Sequence, residues 1–287
     1  MTQNTVKQQA SIQGVGLHSG KQITLTIKPA PENCGIAFVR TDIDDLKTDN
    51  LIPARWDLVS DTRMCTYVSN ADGVGVGTIE HLMSALRGCN IDNAILELDG
   101  AEVPIMDGSA LPFVEMIKNA GIEQQEQSRK VIRILKDVSV EKDGKRVKLS
   151  PADTASFCGE IEFDHPQIGK QAFETTLLNG NFMHDIAECR TFGFYHEGEY
   201  LRSIGLAQGA SLDNAIVLDR EKIMNPEGLR CEREFIRHKL LDAIGDLYLA
   251  GAPIQGRYDG FKAGHEMNNE ILHALFADKD AYEIVDA

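Results

Sequence analysis

Ile23-Thr24-Leu25-Thr26-Ile27-Lys28 alternates apolar and polar side chains without a break, the period-two signature of a strand with one buried face. Pro29 and Pro31 close it. The preceding Gly14-Val15-Gly16-Leu17-His18-Ser19-Gly20 reads as a tight turn between strands, because it lacks the Lys-Ser/Thr ending and the following helix of a phosphate loop. Further strands are expected over 36–39 and 94–98, a polar loop over 42–50, and β-prone residues at 66–68. Thr78 follows Val74-Gly75-Val76-Gly77 as the expected N-cap of a helix ending near Gly88. Asp99-Gly100 and Asp107-Gly108 mark turns, and a second helix over 110–120 stops at Gly121.

Residues 123–130, Glu-Gln-Gln-Glu-Gln-Ser-Arg-Lys, contain no apolar side chain and read as a linker. It divides the chain into an N-terminal unit, 1–125, and a C-terminal unit, 131–287. Strands resume over 131–135, 138–141, 146–149, 156–163 and 172–177, with a hairpin turn at Asp143-Gly144. A short helix is expected over 181–188 and a strand over 215–218. Over 232–250 the apolar residues Phe235, Leu240, Leu241, Ile244, Leu247 and Tyr248 recur at about 3.6 positions, which predicts one long helix. A strand over 253–258 and a helix over 266–276 complete the pattern. Each half thus has strands, a histidine-bearing helix, a strand, a glycine-containing loop and a closing helix, which points to a duplicated fold with a cleft between the copies.

Composition narrows the class. The 287 residues are 43% hydrophobic and 25% charged, as in a soluble globular protein of one large or two ordinary domains. No apolar run approaches the ~18–20 residues of a membrane span. Met1 to Lys7 carries no apolar signal core, and the six cysteines lack paired spacing, so reduced thiols and a cytoplasmic location are expected. A net charge of −15 argues against a nucleic-acid partner. It leaves room for a phosphorylated small molecule held by one or two lysines.

On the long helix His238 and Asp242 are four residues apart and share a face; Asp246 extends the row. An imidazole and a carboxylate at this spacing can grip one divalent ion, or they can be an ordinary polar pair on a solvated helix face. A third ligand is available at His81. Glu80 beside it could reach a water held by the ion, although a glutamate in a first helical turn also suits the helix dipole. His265, taken alone, reads as a loop histidine capping the last helix. No H-E-x-x-H peptidase motif occurs, since His81 follows Glu80. Besides the reading that a family resemblance implies, a zinc amidohydrolase acting on a different substrate and a non-catalytic nucleotide-sugar binder remain the alternatives.

Six segments in order carry a resemblance: 14–18 (Gly-Val-Gly-Leu-His), 78–82 (Thr-Ile-Glu-His-Leu), 104–109 (Pro-Ile-Met-Asp-Gly-Ser), 190–194 (Arg-Thr-Phe-Gly-Phe), 237–246 and 262–265 (Lys-Ala-Gly-His). Over nearly its whole length the chain resembles the zinc-dependent UDP-3-O-acyl-N-acetylglucosamine deacetylases of lipid A biosynthesis in Gram-negative bacteria. The resemblance implies an α+β fold of two similar domains, each layering two helices on a sheet, with the active site at the interdomain cleft. It implies one catalytic Zn2+ on His81, His238 and Asp242, and Glu80 as general base. His265 would be the cationic acid, Asp246 its orienting partner and Thr191 the oxyanion donor. Phe192 would pack on the sugar, Lys239 and Lys262 would lie near the diphosphate, and Glu162 with Phe163 would receive the uracil. His18 would stand near the substrate, and an insert near 194–218 would form the acyl passage. Within it, Leu201, Ile204, Leu206, Ala210 and Leu212 are the expected lining. The expected partner is therefore a small molecule, an acylated UDP-sugar, bound by a monomer.

Overall fold

The computed structural model describes residues 1–45 and 47–287; Leu46, inside the expected 42–50 loop, lies outside the described residues. Two five-stranded sheets dominate. The first runs, edge to edge, Ala10–Val15, Gln22–Pro29, Ala94–Leu98, Ile36–Arg40 and Leu51–Pro53. The second runs Val138–Lys142, Lys145–Ser150, Arg257–Phe261, Ser156–Glu162 and Lys170–Thr176. Strand order and direction are the same in both: a hairpin, then a central strand that is last in sequence, antiparallel to the hairpin and parallel to its other neighbour. The central strand follows a helix in each case and leads into another. The duplication expected from the pattern is therefore present at the level of topology.

The helices are α1 (Glu80–Gly88), α2 (Leu111–Ala120), α3 (Tyr195–Ser203), α4 (Glu234–Tyr248) and α5 (His265–Ala277). α2 packs on the first sheet and on α1, α5 packs on the second sheet and on α4, and α1 packs on α4. One apolar core runs through all of these layers, from Leu25, Ile27 and Leu96 through Leu82, Leu86, Leu240 and Ile244 to Leu272, Val147 and Leu149. At about 25 cal/mol per Å² of apolar surface removed from water, this burial is the main force holding α1 against α4. No helix among the described residues is long and apolar enough to cross a membrane.

Gly245 sets the spacing of those two helices. A Cβ at this position would lie 2.0 Å from the Glu80 carbonyl oxygen and 3.0 Å from the Ser84 amide nitrogen, both backbone atoms of α1. Only hydrogen fits there.

Three expectations need correction. The supposed linker contains a strand, Ile122–Ser128, antiparallel to Thr2–Val6, with a further strand from Lys130 to Ile134. Its side chains are mostly exposed, so the backbone ladder holds it and the sequence shows only polar residues. Thr78 does not cap α1: it adopts φ 56° and its hydroxyl donates to Glu102 Oε1 at 3.2 Å. The helix expected over 181–188 is a single wide turn, Phe182–Ile186.

Candidate active site

α1 enters the space between the sheets with Glu80 and His81, and α4 brings His238 and Asp242 to the same point. All four are at most 3% exposed. Asp242 Oδ1 lies 3.5 Å from His81 Nε2 and 3.3 Å from His238 Nε2, and it accepts no hydrogen bond although it is buried. A buried carboxylate oxygen without a donor is costly. Two imidazole nitrogens and this oxygen converging on one point have the donor types of a catalytic zinc centre, so these residues fit the ion.

The protonation states agree. Burial pushes the His238 imidazole down to about 3, so the ring is neutral. Its Nδ1 donates to the Cys189 carbonyl at 3.0 Å, which leaves the Nε2 lone pair facing the cluster. Burial works against the Asp242 carboxylate, yet the neighbouring imidazoles and the Lys239 ammonium hold it well below the ordinary range. The His81 ring is braced less firmly, because its Nδ1 is buried without a partner.

Beside the cluster stands an acid–base pair. Burial raises the Glu80 carboxyl, while the His265 and His81 rings oppose that shift. Its Oε2 accepts the Thr66 amide at 3.1 Å, and its Oε1 lies 3.8 Å from His265 Nε2. His265 is the first residue of α5, where burial and the positive helix end both disfavour a cation. Asp246 and Glu80 outweigh them and raise His265 to about 9. The bond from His265 Nδ1 to Asp246 Oδ2 is 2.9 Å.

Asp246 is held in turn by residues that sequence reasoning missed. Thr66 Oγ1 donates to Oδ1 at 2.6 Å, and Asn268 Nδ2 donates to Oδ2 at 2.9 Å. Asn268 Oδ1 accepts from Tyr258 at 2.7 Å. Thr66 therefore touches Glu80 through its amide and, through its hydroxyl, the Asp246 carboxylate that holds His265. Asn268 stands three residues after His265 on α5, the one spacing that could have drawn attention to it.

These groups open onto a cavity of about 520 Å³ lined by Glu80, His81, His238, Asp242 and His265, with Thr191, Phe192, Phe163, Lys239 and His18 also on its wall. Phe192 contacts Phe163 and Phe235 edge-on, with centroids 5.7 and 5.0 Å apart. Lys239 donates to Asp242 Oδ2 at 2.8 Å. His18 accepts the Ala207 amide on Nδ1 at 3.4 Å, and burial lowers its pKa. Glu162 and Lys262 pair with each other at 2.7 Å, on partly exposed side chains outside the cavity lining.

The insert begins with a strand, Phe192–Phe194, parallel to Ile216–Leu218, and continues into α3. Leu201, Ala210 and Leu212 line the cavity. Ile204 and Leu206 do not. Ile204 is exposed at the end of α3, and Leu206 faces a neighbouring cavity of about 440 Å³ that contains Cys65. α3 ends at Ser203, so Ile204 and Leu206 lie beyond the helix that carries Leu201 to the cavity.

The chain matches the family described as LpxC: UDP-3-O-acyl N-acetylglycosamine deacetylase over residues 3–277. It is 48% identical over 285 residues to the UDP-3-O-acyl-N-acetylglucosamine deacetylase of Shewanella violacea, covering 99% of this chain and 92% of that protein. It is 49% identical over 290 residues to the protein of that name from Nitratiruptor sp., covering 100% and 94%. Identity to the one from Neisseria meningitidis serogroup C is 46% over 288 residues, covering 100% and 94%. With a matching profile over nearly all of its length and relatives of this identity, the chain belongs to the UDP-3-O-acyl N-acetylglycosamine deacetylase family.

Proposed function

We propose that this protein removes the N-acetyl group of UDP-3-O-acyl-N-acetylglucosamine, releasing acetate and the free 2-amine, as a zinc-dependent step of lipid A biosynthesis in the cytoplasm of a Gram-negative bacterium. The supporting observation is that a cluster fit for one divalent ion, a buried carboxylate and a cationic imidazole share one cavity. Zinc on His81, His238 and Asp242 would supply Lewis acidity toward the amide carbonyl and acidify a water.

The chain's own residues do the rest. Glu80 accepts the water's proton as it attacks the carbonyl carbon, and its raised affinity for protons suits a base that must hold that proton. The Thr191 hydroxyl donates to the developing oxyanion. His265, cationic up to about pH 9, protonates the departing amine, with Asp246 holding its ring and charge. Phe192 packs on the sugar. Lys239 and Lys262 neutralise the diphosphate, which requires Lys262 to leave Glu162, and Phe163 with Glu162 takes the base. His18 closes the near wall. Leu201, Ala210 and Leu212 cover the acyl chain, whose methylenes each contribute up to ~0.8 kcal/mol on burial.

We further assign the catalytic halves to two domains, 1–125 and 131–287, in a monomer. The test uses purified, metal-loaded protein and the acylated UDP-sugar, measuring acetate and free amine together. Equal release of both, stopped by a chelator and restored by Zn2+, is the expected result. No acetate from this substrate under any metal would end the proposal.

A further inference from the structure

Behind the metal cluster, outside the cavity lining, Cys189 Sγ and Cys231 Sγ lie 3.6 Å apart although 42 positions separate them in the chain. The juxtaposition is built rather than incidental. Arg190 N donates to Glu234 Oε1 at 3.0 Å, and Arg230 N donates to Glu234 Oε2 at 2.7 Å. The residue next to each cysteine is therefore clamped to the same fully buried carboxylate, which the Arg190 guanidinium also grips at 2.9 Å. Cys189 is buried, whereas Cys231 is half-buried and is the less enclosed of the two.

We propose that Cys189 and Cys231 form an oxidisable dithiol, a modification site at which a hydroperoxide produces a reversible disulfide that slows turnover. The Cys231 sulfur attacks the peroxide ROOH, breaking the O–O bond to give a sulfenic acid and, with the thiol proton, ROH. The Cys189 sulfur then attacks the sulfenic sulfur; the S–S bond forms and the hydroxyl leaves as water with the second thiol proton. Two thiols give up two electrons and the peroxide accepts them. A disulfide needs ~2.05 Å between sulfurs, so the pair must close by roughly 1.5 Å.

That movement has a direct route to the active site. The Cys189 carbonyl is the acceptor that orients His238 Nδ1, and Thr191 lies two residues further on. This effect on turnover rests on the assignment of His238 as a metal ligand; the formation of the disulfide does not.

The experiment treats the metal-loaded full chain with hydrogen peroxide, quenches with catalase, and compares turnover with peptide masses under non-reducing conditions. A linked pair containing Cys189 and Cys231, two hydrogens lighter than the sum of its parts, should appear as turnover falls. The fall should be roughly tenfold, the low end for disturbing a ligand's orienting bond. Dithiothreitol should reverse both. Cys231→Ser should keep the basal turnover yet give neither the linked pair nor the reversible loss. Oxidation without this linkage, linkage without loss of turnover, or an equal reversible loss in Cys231→Ser would each overturn the proposal. If the protein proves to have no deacetylase activity, the linked peptide still decides whether the dithiol exists.

Discussion

The two five-stranded halves share strand order, direction and helix placement, yet they carry very different chemical loads. From the first, nine-residue α1 supplies one imidazole and one carboxylate at its opening turn. From the second, fifteen-residue α4 supplies His238, Asp242 and Asp246 along one face, and α5 opens on His265. The matching helix in the first half, α2, opens on Leu111 and Pro112, which are suited to starting a helix and to nothing else at the site. His238 is braced by a backbone carbonyl, whereas His81 has no such brace. A repeated scaffold thus aims two helices at one point, and the chemistry lies in the few side chains that differ.

The largest effect should come from breaking the meeting point itself. His81→Ala, His238→Ala and Asp242→Ala should each lose the metal and abolish turnover, although one proposed ligand comes from the first half and two from the second. Metal content per chain checks this, and full occupancy in all three would refute the assignment. Next comes the base. Glu80→Gln should keep the metal and lose about 10²–10⁴-fold in rate; a wild-type rate would remove Glu80 from its role.

The contact between the halves is tested at Gly245. Alanine in a helix interior is ordinarily worth about 1 kcal/mol more than glycine. Here its Cβ would press on the Glu80 carbonyl. Gly245→Ala should therefore part α1 from α4 and cost about 10²-fold in rate, a usual result of misplacing reacting groups by about 1 Å. Helical circular dichroism should survive. An unimpaired rate would show that the close approach does not position the site.

The smallest effect is a displaced pH limb. His265 is raised from 6.5 to about 9, so the cation persists through neutrality and turnover should decline as pH rises through about 9. The same sign governs stability: the contribution of the Asp246–His265 pair is full below about 6.5 and disappears as pH passes about 9. Asp246→Asn should bring the basic limb to lower pH. A limb that stays in place in this variant would mean that another group sets it.

Much of this was readable in advance because helical periodicity is strong. The apolar rhythm of α4 locates His238 and Asp242 on one face, and the Ile23–Lys28 alternation locates a strand. His265 differs: from the residues alone it reads as a capping histidine, and only the family resemblance implies the role of an acid. Thr66 was invisible because its hydroxyl meets Asp246 across 180 positions of sequence. Gly245 was equally hidden, since its reason is the backbone of another helix. Strand Ile122–Ser128 escaped because pairing that leaves side chains in water leaves no apolar trace.

The insert is latched to the opposite half by its backbone. Gln208 N donates to the His18 carbonyl at 3.2 Å and Gly209 N to the Leu17 carbonyl at 3.0 Å. A clamshell opening would have to break this latch along with the α1–α4 contact. On the acyl-passage role proposed for this insert, a fatty chain would enter end-on while the latch holds, the tail first and the sugar after it, and product would leave by the reverse path. Residence time should lengthen with tail length, and a substrate branched at the tip of its chain should be slow to load even where its total apolar surface is unchanged.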